Sequence, residues 1–158
     1  MADRKKDYDA VIATPLGRLG IEAATALTSI DFVSARTLLK TARTRVAHKA
    51  CAQLKAYFAD PRAGFDLPLA ASGSDFQQRV WRALRKIPSG AAHHYGALAK
   101  RLNSAPRAVG GACRANPIPI VVPCHRVVAA TGLGGFMGAT RGRAMDIKRW
   151  LLKHEAAG

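Results

Sequence analysis

Three prolines within seven residues, Pro117, Pro119 and Pro123, constrain this chain more than any other feature. Proline lacks the amide hydrogen that a helix needs, and it pushes the residue before it towards extended backbone. The run Asn116-Pro117-Ile118-Pro119-Ile120-Val121-Val122 is therefore kept out of helix although it is almost wholly apolar. It is expected to be an extended segment that delivers the chain to Pro123-Cys124-His125-Arg126. A Gly-rich loop, residues 132–142, follows. A last helix then carries Met145, Ile147, Trp150, Leu151 and Leu152 and ends near Glu155.

Upstream, the spacing of apolar residues changes twice. Residues 8–33 read as short strands: Tyr8–Thr14, a turn at Pro15-Leu16-Gly17, then Leu19, Ile21 and Ala23 alternating with Arg18, Gly20 and Glu22, and a third strand near Ala26–Phe32. Over residues 35–59 the period becomes helical, with Leu39, Ala42, Val46, Ala50, Leu54, Tyr57 and Phe58 on one face and Asp60-Pro61 as the stop. Residues 61–73, rich in Pro, Gly, Ala and Ser, are the expected linker. Ser74 and Gln77 have the spacing of a capping box for a helix carrying Phe76, Val80, Leu84 and Ile87. Two short helices follow, Tyr95–Leu102 and Pro106–Ala115, joined by Asn103-Ser104-Ala105. Ser104 is the expected cap and Pro106 is preset for the first turn. The pair suggests a helix-turn-helix. Gly110 and Gly111 inside the second helix cost about 1 kcal/mol each relative to Ala. Close approach to a bulky partner and close packing on the core would explain them equally well.

The fold expected is α+β: a small N-terminal antiparallel sheet with a helix over residues 1–72, and a mainly helical domain with a helix-turn-helix over 73–158. Charge divides at the same place. Residues 1–72 hold 11 Lys/Arg against 7 Asp/Glu, and residues 73–158 hold 14 against 3. A polyanion would bind the second half, although a basic surface also keeps a protein in solution. Hydrophobic residues at 49% can build a core, and no apolar run approaches the roughly 18 residues of a membrane helix. The opening Met1–Asp7 is polar rather than the apolar core of a secretion signal, so a cytoplasmic location is expected. Cys51, Cys113 and Cys124 are too few and too scattered for a disulfide framework or a zinc site. A single reactive thiol remains, and Cys124 has His125 beside it. The pair alone fits a structural cysteine next to a surface histidine better than it fits a nucleophile.

The wider pattern separates these readings. Phe76-Gln77-Gln78-Arg79-Val80-Trp81, Ile87-Pro88-Ser89-Gly90, Tyr95 with Leu98-Ala99, and Arg107-Ala108-Val109-Gly110-Gly111-Ala112 occur in order. Asn116 through Val128 follow, and the set closes on Trp150-Leu151-Leu152-Lys153-His154-Glu155. This ordered set resembles the O6-alkylguanine-DNA alkyltransferases (methylated-DNA–protein-cysteine methyltransferases) across most of residues 74–158. Thr14-Pro15-Leu16-Gly17 is similar to the family's first hairpin.

The resemblance implies direct-reversal DNA repair, in which an alkyl group moves from O6 of guanine, or O4 of thymine, to Cys124 in a single turnover. By the same resemblance His125 takes the thiol proton through a water, and Glu155 steadies the imidazole. Asn116 braces the active-site turn, and Tyr95 donates a proton to the departing guanine. The backbone at Val127 reads the guanine edge, and the Phe136-Met137 loop holds the base. The target atom lies within the base stack, so the nucleotide must be flipped out. Arg107 would fill the gap, and Ala108, Gly110 and Gly111 would face the minor groove. Arg114, Lys100 and Arg101 would meet phosphates.

The implied partner is duplex DNA carrying O6-alkylguanine, bound by a monomer with no cofactor and no metal. Two departures stand out. Phe136 lacks the hydroxyl of the family's tyrosine, and Met137 stands near a family serine, which predicts a more apolar pocket. Thr140–Asp146 is longer than usual, and the Tyr95–Arg107 connection is slightly shorter. The alternatives are a module that binds alkylated DNA without transfer, a helix-turn-helix regulator, and a cysteine hydrolase. The first lacks an acceptor cysteine in the family, the second wants a dimerisation element, and the third needs an oxyanion hole.

Overall fold

The computed structural model describes residues 6–158, so the first five residues of the polar opening Met1–Asp7 lie outside the described range. The chain divides into two compact units between Ser72 and Gly73.

The first unit is an antiparallel sheet in the order β1 (Ala10–Thr14), β2 (Gly17–Ala23), β3 (Leu27–Val33). Ala10 pairs with Ile21 and Leu19 with Phe32. The turn between β1 and β2 follows from its residues. Thr14 Oγ1 accepts from Leu16 N at 3.0 Å and donates to the Gly17 carbonyl at 2.7 Å, and Gly17 takes a φ of 97° that only glycine adopts cheaply. Leu19, Ile21 and Ala23 are buried, as the alternation requires.

Helix α1 (Arg45–Ala59) is ten residues shorter at its start than the spacing predicts. Thr44 is its N-cap, accepting from Ala47 N, while Lys40 exchanges backbone hydrogen bonds with Val11 at 3.0 and 3.1 Å. Pairing with the edge of β1 is an alternative use of that backbone, and it wins over helix upstream of a good cap. Leu39 and Ala42 therefore leave the helical face, and Leu38 and Leu39 are exposed. The expected linker is also narrower than its composition suggests. Leu27 N donates to the Pro68 carbonyl, Ala70 N donates to the Leu27 carbonyl, and Leu67 is buried, so this stretch belongs to the first unit.

The second unit begins with α2 (Asp75–Arg85). Both bonds of its capping box form: Gln77 N donates to Ser74 Oγ at 3.1 Å and Ser74 N donates to Gln77 Oε1 at 2.9 Å. Val80, Trp81, Leu84 and Ile87 are buried. Trp81 Nε1 donates to the Ala112 carbonyl at 2.9 Å, which ties α2 to α4 (Pro106–Arg114). Helix α3 (Tyr95–Arg101) precedes α4, and Asn103 at φ 53° makes the turn between them. Ser104 does not cap α4. Ala105 is the N-cap and has no side-chain bond to give, while Ser104 N donates back to the Ala99 carbonyl at 2.8 Å. Pro106 stands at the helix start, as read.

The proline-rich run is not extended. Val121 N donates to the Pro119 carbonyl, Val122 N to the Ile118 carbonyl and Cys124 N to the Val122 carbonyl, and Ile120 sits at φ 74°. Ile118, Ile120, Val121 and Val122 are all buried without a neighbouring strand, so their polar backbone groups must bond within a coiled turn. Cys124–Arg126 then forms a short 3-10 turn. It leads into β5 (Val127–Val128), which pairs in parallel with β4 (His93–His94). Helix α5 (Arg143–Ala156) closes the unit, burying Met145, Ile147, Lys148, Leu151 and Glu155. Trp150 and Leu152 are only half-buried.

Candidate active site

Asn116 builds the platform under Cys124. Its Nδ2 donates to the Val122 carbonyl at 2.8 Å and its Oδ1 accepts from Ile118 N at 3.0 Å, which satisfies the two ends of the coiled turn. Asn116 also hydrogen-bonds the Cys124 thiol. Cys124 is 5% exposed and lines a cavity of about 900 Å³. Helix α4 contributes Arg107, Gly110, Gly111, Cys113 and Arg114 to this cavity, and the loop after β5 contributes Phe136 and Met137. Tyr95, at the start of α3, completes the wall. A guanine base with a substituent fits within such a volume.

Behind the cavity, His125 is fully buried and its Nε2 lies 2.7 Å from Glu155 Oε2. A carboxylate accepts, so Nε2 carries the proton and Nδ1 is left as the basic atom. Nδ1 is buried and has no hydrogen-bond partner among the described residues. Burial holds the His125 pKa below 6.5, against the pull of Glu155, so the ring is neutral and basic at neutral pH. Burial pushes the Cys124 thiol up, and the Asn116 hydrogen bond and the charge of Lys148 only partly offset it. The thiol is thus protonated at rest, with a base in the next residue. Cys124 and His125 share a 3-10 turn, which does not force adjacent side chains to opposite faces as an extended strand would. The Tyr95 hydroxyl is pushed up to about 12 by burial and then by Cys113 and Cys124, so it is a proton donor.

Two residues escape sequence reasoning. Arg126 reaches Glu155 Oε1 through Nε and Oε2 through Nη2, both at 2.8 Å, and its Nη1 donates to the Ile87 carbonyl at 2.6 Å. This two-pronged grip fixes the carboxylate that holds His125. Lys148 is fully buried, and its Nζ donates to the carbonyls of Val127 at 2.8 Å, Leu133 at 2.6 Å and Gly135 at 2.9 Å. It also stands 5.9 Å from the Tyr95 ring centre. Burial brings its pKa down to about 8. One ammonium therefore ties β5 and the loop before Phe136 to α5. The signal was present, since Met145, Lys148, Leu151 and Glu155 lie on one helical line, but a lysine on an inward line reads as solvated by default.

The remaining predicted residues fall as follows. Met137 is 40% exposed at φ 53° and forms a tight turn with Gly138, closed by the mutual bonds of Phe136 and Ala139. Phe136 is buried beneath it. Val127 is buried and does not line the cavity; its carbonyl is engaged by Lys148. Ala108 is exposed on α4 but lies outside the cavity wall. A Cβ added at Gly110 or Gly111 would meet nothing within 4 Å. Core packing therefore does not explain these glycines, and their open side faces the cavity mouth. Among the described residues, no cluster of His, Cys, Asp and Glu could hold a metal ion, and no helix is long and apolar enough to cross a membrane.

The chain is similar to known proteins in sequence and in fold. The domain family described as "6-O-methylguanine DNA methyltransferase, DNA binding domain" matches residues 75–157. The methylated-DNA–protein-cysteine methyltransferase of Methanosarcina acetivorans is 37% identical over 159 residues, which cover 95% of this chain and 99% of that protein. The crystal structure of the Mycobacterium tuberculosis O6-methylguanine methyltransferase is 37% identical, with a TM-score of 0.78 over 93% of this chain and 91% of that one. A structure of Mycobacterium tuberculosis OGT in complex with DNA superposes with a TM-score of 0.76, over the same coverage and with the same identity.

Proposed function

This chain belongs to the family of methylated-DNA–protein-cysteine methyltransferases, and from that premise we propose that it reverses alkylation damage by moving the alkyl group from O6 of guanine in DNA to Cys124. The observation that carries the assignment of the acceptor is the burial of Cys124 on the wall of the α4 cavity, with the His125–Glu155 pair behind it.

The chemistry follows from the protonation states. Cys124 enters as a thiol. His125 Nδ1, passing the proton through a water, removes it as the sulfur attacks the alkyl carbon. The carbon–O6 bond breaks, and its electron pair departs with guanine. The guanine takes a proton on its ring, for which the Tyr95 hydroxyl is the donor. Glu155 stabilises the imidazolium that forms, and Arg126 keeps Glu155 charged and in register. The products are an S-alkylcysteine and an unmodified guanine. A thioether has no easy route back to a thiol, so each molecule acts once.

The base reaches Cys124 only when it leaves the stack, at a cost of a few kcal/mol. Arg107, exposed near the start of α4, is the residue that fills the gap, and Gly110 and Gly111 let the helix come close to the minor groove. Arg114, Lys100 and Arg101 meet phosphates, which gives binding that weakens with salt and ignores sequence. As part of the same proposal, the protein acts as a monomer in the cytoplasm.

Duplex DNA carrying a labelled O6-methylguanine tests this reading. Label should move to the protein with one equivalent per chain at Cys124, and Cys124→Ala should take none. Binding without label would make the chain a lesion-binding module or a regulator. Several equivalents of released product per chain would make it a hydrolase.

A further inference from the structure

A second, smaller groove of about 360 Å³ lies between α2 and α3 and shares no lining residue with the Cys124 cavity. Four of its lining residues are cationic: Arg79, Arg82, Lys86 and Arg101. Leu98 and Leu102 supply apolar surface between them. Among the described residues, none of the four cations forms an ion pair. The second unit has three side-chain carboxylates. Glu155 is committed to His125 and Arg126, Asp146 to Arg149, and Asp75 stands in the first turn of α2.

Two of the three guanidiniums are nevertheless held in place. Arg79 Nη2 donates to the Leu102 carbonyl at 2.9 Å, and Arg101 Nη2 donates to His93 Nδ1 at 2.9 Å. Neither partner is a carboxylate, so the side chains are fixed without an anion that would neutralise their charge. An ordinary solubilising surface has no need for fixed guanidiniums, since mobile ones serve as well. Preorganised cations along an aliphatic strip match a sugar–phosphate backbone, in which anionic oxygens alternate with apolar sugar faces.

We propose that the α2–α3 groove is a second nucleic-acid contact that grips a phosphodiester backbone beside, and not within, the lesion-reading face of α4. The proposal rests on the DNA-repair reading above and adds a surface to it. The backbone can come from the flank of the lesion-bearing duplex or from a neighbouring duplex.

Arg82→Ser with Lys86→Ser tests it, because both residues are exposed and neither makes a bond that holds the fold. Lys49→Ser with Lys55→Ser, in the first unit, removes the same charge elsewhere. Each protein is titrated with unmodified duplex between 50 and 200 mM salt. At a slope of about −0.9 per phosphate, losing two contacts makes the dependence about 1.8 units shallower, and the advantage of the parent protein shrinks about twelve-fold across that range. A change seen on a short duplex that holds one protein assigns the groove to the lesion-bearing DNA. A change seen only when the bound protein captures a second labelled duplex assigns it to a neighbour. An unchanged slope, or an equal change in the Lys49/Lys55 control, overturns the groove while leaving the repair reading intact. Failure of the parent protein to bind DNA at all overturns both.

Discussion

Replacing Gly110 and Gly111 together with alanine should stabilise the protein and weaken its grip on DNA. Each glycine lies within α4 at an ordinary helical φ, and an added Cβ meets nothing within 4 Å. Alanine is preferred over glycine inside a helix by about 1 kcal/mol, so the pair should gain about 2 kcal/mol. For a chain of this size that raises the melting temperature by about 4–8 °C. The free protein would thus be better without these glycines, and the reason for them must lie in the bound state. If α4 lies against a groove wall, two methyl groups intrude on a close contact. Overpacking costs about 1–3 kcal/mol, or a loss of roughly five- to 150-fold in affinity. Melting followed by circular dichroism and duplex binding followed by fluorescence anisotropy measure the two halves. A variant that is more stable and binds as tightly as the parent refutes the idea that DNA approaches this face. A variant that melts lower refutes the open surface itself.

Among the described residues, Lys148→Met removes the only donor shared by the Val127, Leu133 and Gly135 carbonyls. Urea unfolding should show a loss of about 3 kcal/mol, and transfer from O6-benzylguanine should slow at least as much as the fold loosens. A variant of unchanged stability would mean that those carbonyls find other partners. His125 predicts an acid limit. Its folded pKa lies below the unfolded 6.5, so the unfolded chain holds more protons there. The stability it contributes is complete above about pH 6.5 and is lost as the pH falls towards the folded value. His125→Gln should flatten that part of the melting-temperature profile, and an equally steep profile in the variant would assign it to other groups. Met137→Ser should alter the ratio of methyl to benzyl transfer rates, since a hydroxyl replaces an apolar side chain on the cavity wall. Equal ratios in the two proteins would show that Met137 does not touch the alkyl group.

Elements governed by local chemistry were legible in the sequence. The Thr14–Gly17 hairpin turn, the Ser74–Gln77 capping box and Pro106 at the head of α4 each depend on residues within a turn of one another. What the sequence hid depended on distant partners. Residues 35–44 have the helical spacing, but Lys40 pairs with Val11 across the sheet. Residues 118–122 are barred from helix by proline, yet whether they extend or coil depends on having a strand beside them, and none is there. The same division runs through the site. Cys124, His125 and Glu155 could be carried over from a resemblance. The roles of Lys148 and Arg126 became visible only when their acceptors, from four separate stretches of chain, were brought together.

All three cysteines are buried, and burial raises the pKa of each one, so acidity does not single out the acceptor. Cys113 makes the contrast sharpest. It lines the same cavity as Cys124, and burial followed by the neighbouring Cys124 pushes it up to about 12. What Cys124 has in addition is the braced turn, the Asn116 hydrogen bond and an adjacent imidazole whose free nitrogen is basic. Selection therefore rests on access to a proton acceptor during attack rather than on a standing thiolate. For a protein that is spent by one alkylation this arrangement has a consequence. A resting thiolate would react with any small electrophile that reached it, whereas a buried thiol reacts when a base fills the cavity and the proton has somewhere to go. Iodoacetamide should therefore modify Cys124 slowly at neutral pH. Its rate should stay far below that of an unstructured thiol at the same pH, while O6-benzylguanine reacts readily. Rapid modification of Cys124 by iodoacetamide, matched by loss of transfer, would show that the thiolate exists before substrate arrives and that burial does not restrain it.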